Sequence, residues 1–179
     1  MKKYIIIGVI ALVFIGVGIL LSIPDAKQEA LKVKDDQSTT AVGQSIEDQG
    51  RDHIEIGASH NPYNSNPPTS GPHYIQPAEW GIYENPLPDE QLVHNLEHGG
   101  IWISYKDIDT ETKAKLEAIA KANGGVILTP RTANDQKIAL ASWRHLETMD
   151  NYDETKILEF IKAYKNKSPR SKPIASSIT

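Results

Sequence analysis

Apolar residues are distributed along the chain in three distinct ways. Residues 4–23 form an unbroken apolar run without a single charge. Residues 26–49 mix Lys, Asp, Glu, Gln, Ser and Thr with few large apolar side chains, a composition too polar to offset the entropy of ordering. From residue 89 onward, apolar positions recur at helical or strand spacing.

In this last region Asp89 is predicted to N-cap a short helix carrying Leu92, Val93 and Leu96, which Gly99-Gly100 ends. Residues 101–105 read as a strand. Asp109 is predicted to cap a second helix through Ala114, Leu116, Ile119 and Ala120, stopped at Asn123-Gly124-Gly125. Strands are expected over 126–129 and 137–143, joined by a hairpin-like connection over 130–136. Asp153 then caps a last helix through Ile157, Phe160, Ile161 and Tyr164. The order predicts an α+β fold, a small mainly antiparallel sheet with helices on one face. Between His60 and Pro88 lie seven of the eleven prolines, so regular helix is largely forbidden there. Tyr63, Tyr74, Trp80 and Tyr83 give this long loop side chains that can pack, and it is expected to be ordered.

The apolar run predicts one N-terminal transmembrane helix, since 20 residues at ~1.5 Å rise span a hydrocarbon core of ~30 Å. Lys2 and Lys3 before it place the amino terminus in the cytoplasm and everything after it outside. A cleaved signal peptide is the rival reading, although Leu21-Ser22-Ile23 matches a small-x-small cleavage site poorly. The expected organisation is a cytoplasmic stub (1–3), a transmembrane anchor (4–23), a flexible linker (24–51), an extracytoplasmic α+β domain (52–167) and a flexible tail (168–179). The expected location is the cell membrane, single-pass, with the membrane as one partner and an envelope protein as a possible second. With 19 Lys and Arg against 23 Asp and Glu, a basic nucleic-acid surface is not expected. The absence of cysteine excludes disulfides, iron–sulfur clusters, thiolate zinc sites and a cysteine nucleophile.

Five of the six histidines fall between His53 and His98. His94 and His98 sit four apart on the predicted helix, so both project from one face, a spacing that suits two imidazoles on one ion. Glu97 lies on the adjoining flank, and His60 and His73 belong to the proline-rich loop that could dock over that helix. Imidazole with one carboxylate suits zinc or copper better than magnesium or calcium. The candidate ligands are therefore His94, His98, His73, His60 and Glu97, with His53 and His145 expected at the surface. Two other readings stay open. In one, the histidines hold the loop in place and the domain is a metal-free envelope interaction module. In the other, His94-Asn95-Leu96-Glu97-His98 is the H-x-x-E-H motif of a metal-dependent hydrolase. No Walker loop, dinucleotide fingerprint or Gly-x-Ser-x-Gly elbow occurs, and no catalytic residue is assigned.

The string His60-x-x-Tyr63-x-x-x-Pro67-Pro68-Thr69-Ser70-Gly71-x-His73, followed by Gly81-x-Tyr83 and Val93-His94-x-Leu96-Glu97-His98-Gly99, closely resembles the bacterial family called Domain of Unknown Function 3105. The resemblance runs from about residue 53 to 165 and implies a short anchor or export signal, a variable linker and one extracytoplasmic domain. It carries no activity with it. The signature positions it marks are His60, Tyr63, Pro67, Pro68, Ser70, Gly71, His73, His94, Glu97, His98 and Gly99. A signature built on histidine, tyrosine and glutamate favours a site over a packing motif.

Overall fold

The computed structural model describes residues 42–170. The expected anchor, the cytoplasmic stub and most of the linker lie outside the described residues, as does the tail beyond Arg170. Among the described residues no helix is long and apolar enough to cross a membrane.

Strand β5 (Ile101–Tyr105) is buried along its whole length, because successive side chains alternate between two covered faces. Ile101, Ile103 and Tyr105 join one apolar cluster and Trp102 the other. Helix α2 (Thr110–Ala122) then carries the chain to β6 (Val126–Pro130). Because the helix returns the chain to the end at which β5 began, β6 lies parallel to β5, with Ile101 opposite Val126. Strands β7 (Ile138–Ser142) and β8 (His145–Met149) form an antiparallel hairpin, and helix α3 (Glu154–Tyr164) follows.

The six-stranded sheet has the order β1-β8-β7-β5-β6-β4, where β1 is Gln44–Ser45 and β4 is Gly81–Ile82. It is mixed rather than mainly antiparallel, since β6 pairs in parallel with both β4 and β5. The expected hairpin over 130–136 is not one, because β5 separates β6 from β7. The tight hairpin lies instead between β7 and β8, at Trp143 and Arg144, where Arg144 takes φ 64°. No Asn-Gly or Gly-Gly marks that turn, and β8 is a strand that the sequence pattern does not predict.

Helices cover both faces of the sheet, not one. On one side α2 and α3 press Leu116, Ile119, Ile157, Phe160 and Ile161 onto Ile103, Leu128 and Leu140. On the other, α1 (Asp89–Glu97) and the proline-rich loop set Leu92, Val93, Leu96 and Ala78 against Trp102, Ile127, Ala141 and Trp143. Leu92, Val93 and Leu96 are wholly buried, each contributing ~1.5–3 kcal/mol. That contribution fixes the rotation of α1 and hence the direction of its other face.

Asp109 and Asp153 cap α2 and α3 by accepting from the backbone N–H groups of Thr112 and Lys156. At α1 the N-cap is Pro88 rather than Asp89. The Asp89 carboxylate instead receives a two-pronged bond from Arg131, Nε to Oδ1 at 2.9 Å and Nη2 to Oδ2 at 2.7 Å. The fold also begins before residue 52. Strand β1 pairs with β8, Gly43 N–H donates to Glu147, and Tyr164 Oη donates to the Val42 carbonyl. Residues 166–170 likewise fold back onto the end of α1.

Candidate metal centre

Two short segments far apart in sequence create the site. β2 (His53–Ile54) pairs in parallel with β3 (His73–Tyr74), placing His53 opposite His73. Alternation along a strand then puts both imidazoles on one side of this ribbon. Helix α1 lies against β3 and presents His94 and, one turn on, His98. The ring centroids of His53 and His73 are 5.0 Å apart, those of His73 and His94 5.0 Å, and those of His53 and His94 5.1 Å. His94 and His98 stack at 4.9 Å.

The proline-rich loop is the scaffold of this arrangement. Pro67, Pro68, Thr69, Ser70 and Gly71 are buried, Ser70 Oγ accepts from Gln49 N–H, and the Thr69 carbonyl accepts from Arg144 N–H. Tyr63 Oη donates to the Pro72 carbonyl at 2.6 Å, and burial raises this phenol well above its ordinary value. Gly71 has φ 116°, and a Cβ there would lie 3.1 Å from the Tyr63 ring, so glycine is required. Asn95 clamps the loop to α1 by bonding both the N–H and the carbonyl of Ala78. The helix ends with Gly99 at φ 86°, its N–H donating to the Leu96 carbonyl and that of Gly100 to the Asn95 carbonyl.

Hydrogen bonds settle which nitrogens face the cluster. His73 Nδ1 lies 2.8 Å from the Gly71 carbonyl and His94 Nδ1 lies 2.6 Å from the Tyr74 carbonyl. A carbonyl only accepts, so each Nδ1 carries the proton and each neutral ring turns a bare Nε2 lone pair inward. His94 Nε2 is 3.0 Å from His98 Nε2, close to the ~3.3 Å edge of a tetrahedron built on ~2.0 Å metal–nitrogen bonds. His73 Nε2 is 3.6 Å from Glu97 Oε2, and both side chains are fully buried. Among the described residues, neither His73 Nε2 nor either Glu97 oxygen has a hydrogen-bond partner. Burial, partly opposed by the Gly71 bond and the Glu97 charge, pushes the His73 pKa below its ordinary value. His94 is lowered as well, chiefly by burial and then by its histidine neighbours, against the pull of the Tyr74 bond. Both rings thus favour the neutral form that a metal requires.

Among the described residues, two groups of side chains bring ligand atoms within 4.8 Å of one another, His53 with His73 and His94, and His94 with Glu97 and His98. His94 belongs to both. His60 belongs to neither: its Nδ1 lies 2.7 Å from the Asn61 carbonyl, its Nε2 lies 3.3 Å from Glu90, and its ring packs on Tyr63. His53, expected only as a surface residue, is exposed yet stacks on His94 with the rings 15° from parallel. Its place comes from the pairing of β2 with β3, a two-residue ladder with no signal of its own in the sequence. His145 is part-buried and stacks on Tyr164 at 3.9 Å, on the α3 side of the sheet. Arg170 Nε approaches Glu97 Oε1 at 3.2 Å and Arg51 Nε at 4.0 Å, neither of which was anticipated.

A mixed α+β domain that converges four imidazoles and a buried carboxylate from a ribbon and one helix defines the class of protein: a histidine-cluster domain whose donor set could hold a transition-metal ion. The family model described as "Protein of unknown function (DUF3105)" matches residues 55–177, and the chain belongs to that family. No curated protein and no solved structure matches the chain.

Proposed function

We propose that this chain is a membrane-anchored, extracytoplasmic protein whose domain binds a divalent transition metal, zinc or copper, through its histidine cluster. The apolar run over 4–23 supports the anchor, and Lys2 and Lys3 before it support its orientation. One observation carries the metal reading: in a fully buried site, the bare Nε2 of His73 faces a Glu97 oxygen at 3.6 Å. The Arg170 and Arg51 guanidiniums approach Oε1; on the Oε2 side, two acceptors brought together away from water repel unless a cation or a proton lies with them, and burial disfavours the proton on His73. A divalent ion held by His94, Glu97 and His98 would place a positive charge beside the carboxylate that His73 faces, and His53 and His73 form with His94 a second group of donors that shares His94 with it. Tyr74 and Gly71 act through their carbonyls, holding His94 and His73 in the tautomer that leaves Nε2 free.

The metal-free interaction module retains support from Ile56 and Ile75, which are 83% and 54% exposed beside a groove lined by Ile54, Tyr74, Pro88 and Gln91. The hydrolase reading fits poorly. Glu97, the base it needs, is wholly buried and faces two arginines rather than open space. The test is elemental analysis of the full chain in detergent, purified without a histidine tag, with calorimetric titration by Zn²⁺ and Cu²⁺. About one ion per chain is expected; no ion and no heat with either metal would transfer the proposal to the interaction module.

A further inference from the structure

Residues 166–170 lie over the same carboxylate that the metal reading uses. The chain leaves α3 through Asn166, whose φ of 63° turns it back toward α1. Asn166 N–H then donates to the Gly99 carbonyl at 2.8 Å, and Ser168 Oγ donates to the Glu97 carbonyl. Both carbonyls lie at the carboxy-terminal end of α1, where the helix leaves its last acceptors without internal partners. Arg170 follows and sets its Nε 3.2 Å from Glu97 Oε1. Residues 166–170 thus form a strap across the end of the helix that carries His94, Glu97 and His98.

The two members of this ion pair differ in freedom. Glu97 is wholly buried and held by the packing of α1, whereas the Arg170 side chain is half exposed. Its guanidinium can swing into water at little cost, and the carboxylate cannot follow. On its other oxygen Glu97 faces His73 Nε2 at 3.6 Å. An ion held by His94, Glu97 and His98 would therefore share one carboxylate with a guanidinium, and the two positive charges repel each other across it.

Resting on the metal reading, we propose that Arg170 and a divalent cation compete for Glu97, so that loading of the histidine cluster loosens the carboxy-terminal strap. The cluster then reports its occupancy through a segment of chain at the surface. Arg51, 4.0 Å from the same carboxylate and also half exposed, adds a weaker positive charge and would be displaced less.

The test uses the full chain in detergent, with Zn²⁺ as the probe. Arg170→Gln should bind Zn²⁺ about fivefold tighter than wild type, the size of a partly exposed charge interaction. Arg170→Lys, which keeps the charge, should stay near wild type. Amide hydrogen exchange should be faster over 166–170 in zinc-saturated wild type than without zinc, while Arg170→Gln should exchange fast in both. If Zn²⁺ binds but Arg170→Gln leaves its affinity unchanged or weakens it, or the strap is equally protected with and without zinc, the competition is refuted and the metal site stands. If wild type and Arg170→Gln bind neither Zn²⁺ nor, in the same titration repeated with it, Cu²⁺, the metal reading itself falls and takes the competition with it.

Discussion

Replacing His94 by alanine removes the side chain common to both ligand groups, so its cost can be worked out separately for the ion and for the fold. Structural zinc held by four ligands in zinc-finger peptides has an apparent binding free energy of ~10–16 kcal/mol, so one ligand's share on that scale is ~2.5–4 kcal/mol, a factor of ~10²–10³ in Kd. His94 is only 4% exposed, and its Nδ1–H bond to the Tyr74 carbonyl is 2.6 Å long. Losing that bond and leaving a void where the ring was should cost the metal-free domain ~2–3 kcal/mol. His98 separates the two effects. It is exposed, so His98→Ala should leave metal-free stability within ~0.5 kcal/mol of wild type while still removing a ligand. The assay is calorimetric titration with Zn²⁺ and Cu²⁺ beside urea unfolding of each variant, with circular dichroism establishing that the titrated protein is folded. His94→Ala, folded and binding either ion with a Kd within about threefold of wild type, would refute the site.

Four further outcomes are expected. His60→Ala, which removes a ring paired with Glu90 rather than a ligand, should leave ion stoichiometry unchanged by elemental analysis; lost stoichiometry would return His60 to the site. Burial holds His73 and His94 below the ordinary histidine value of 6.5, so on acidification the unfolded chain takes up protons first. Their contribution to folding is whole above about pH 6.5 and shrinks as the pH drops below it, so the urea midpoint without metal should be lower at pH 5.5 than at pH 7.5. An equal or higher midpoint at pH 5.5 would contradict the burial of these rings. Zn²⁺ at about 100 times its Kd should stabilise the domain by about 2.7 kcal/mol, read as a shift in melting temperature that the chelated protein lacks. Gly71→Ala places a methyl 3.1 Å from the Tyr63 ring on a backbone at φ 116°, and should destabilise by ~2–3 kcal/mol in urea unfolding; a change under ~0.5 kcal/mol would mean the loop is free to relax.

Much of the local structure was legible because its causes are local. Asp109 and Asp153 cap helices through side chains three residues from the N–H groups they accept, and Gly99 ends α1 because only glycine takes φ 86° without strain. The spacing of His94 and His98 placed two nitrogens 3.0 Å apart for the same reason, one helical turn between them. Most of the remaining differences are long-range. Asp89 had the composition of a cap, but Arg131, 42 residues away, holds its carboxylate. Residues 42–51 had the composition of a linker, and what holds them is the free edge of β8 and the hydroxyl of Ser70. The β7–β8 turn went unseen because it carries none of the residues that announce a hairpin.

By itself the sequence determined the uncharged apolar run, the α+β character, the three described helices and the family signature with His73, His94, Glu97 and His98 in it. These follow from spacing and composition, which act over a few residues. Only the tertiary structure decided the mixed sheet covered on both faces, the exclusion of His60, the entry of His53 through its pairing with His73, and the convergence of Arg51 and Arg170 on Glu97. Each of those joins segments about 20 residues or more apart in the chain. Such pairings are selected by the burial of α1 and the proline-rich loop on the sheet, a property of the packed core that no window of sequence contains.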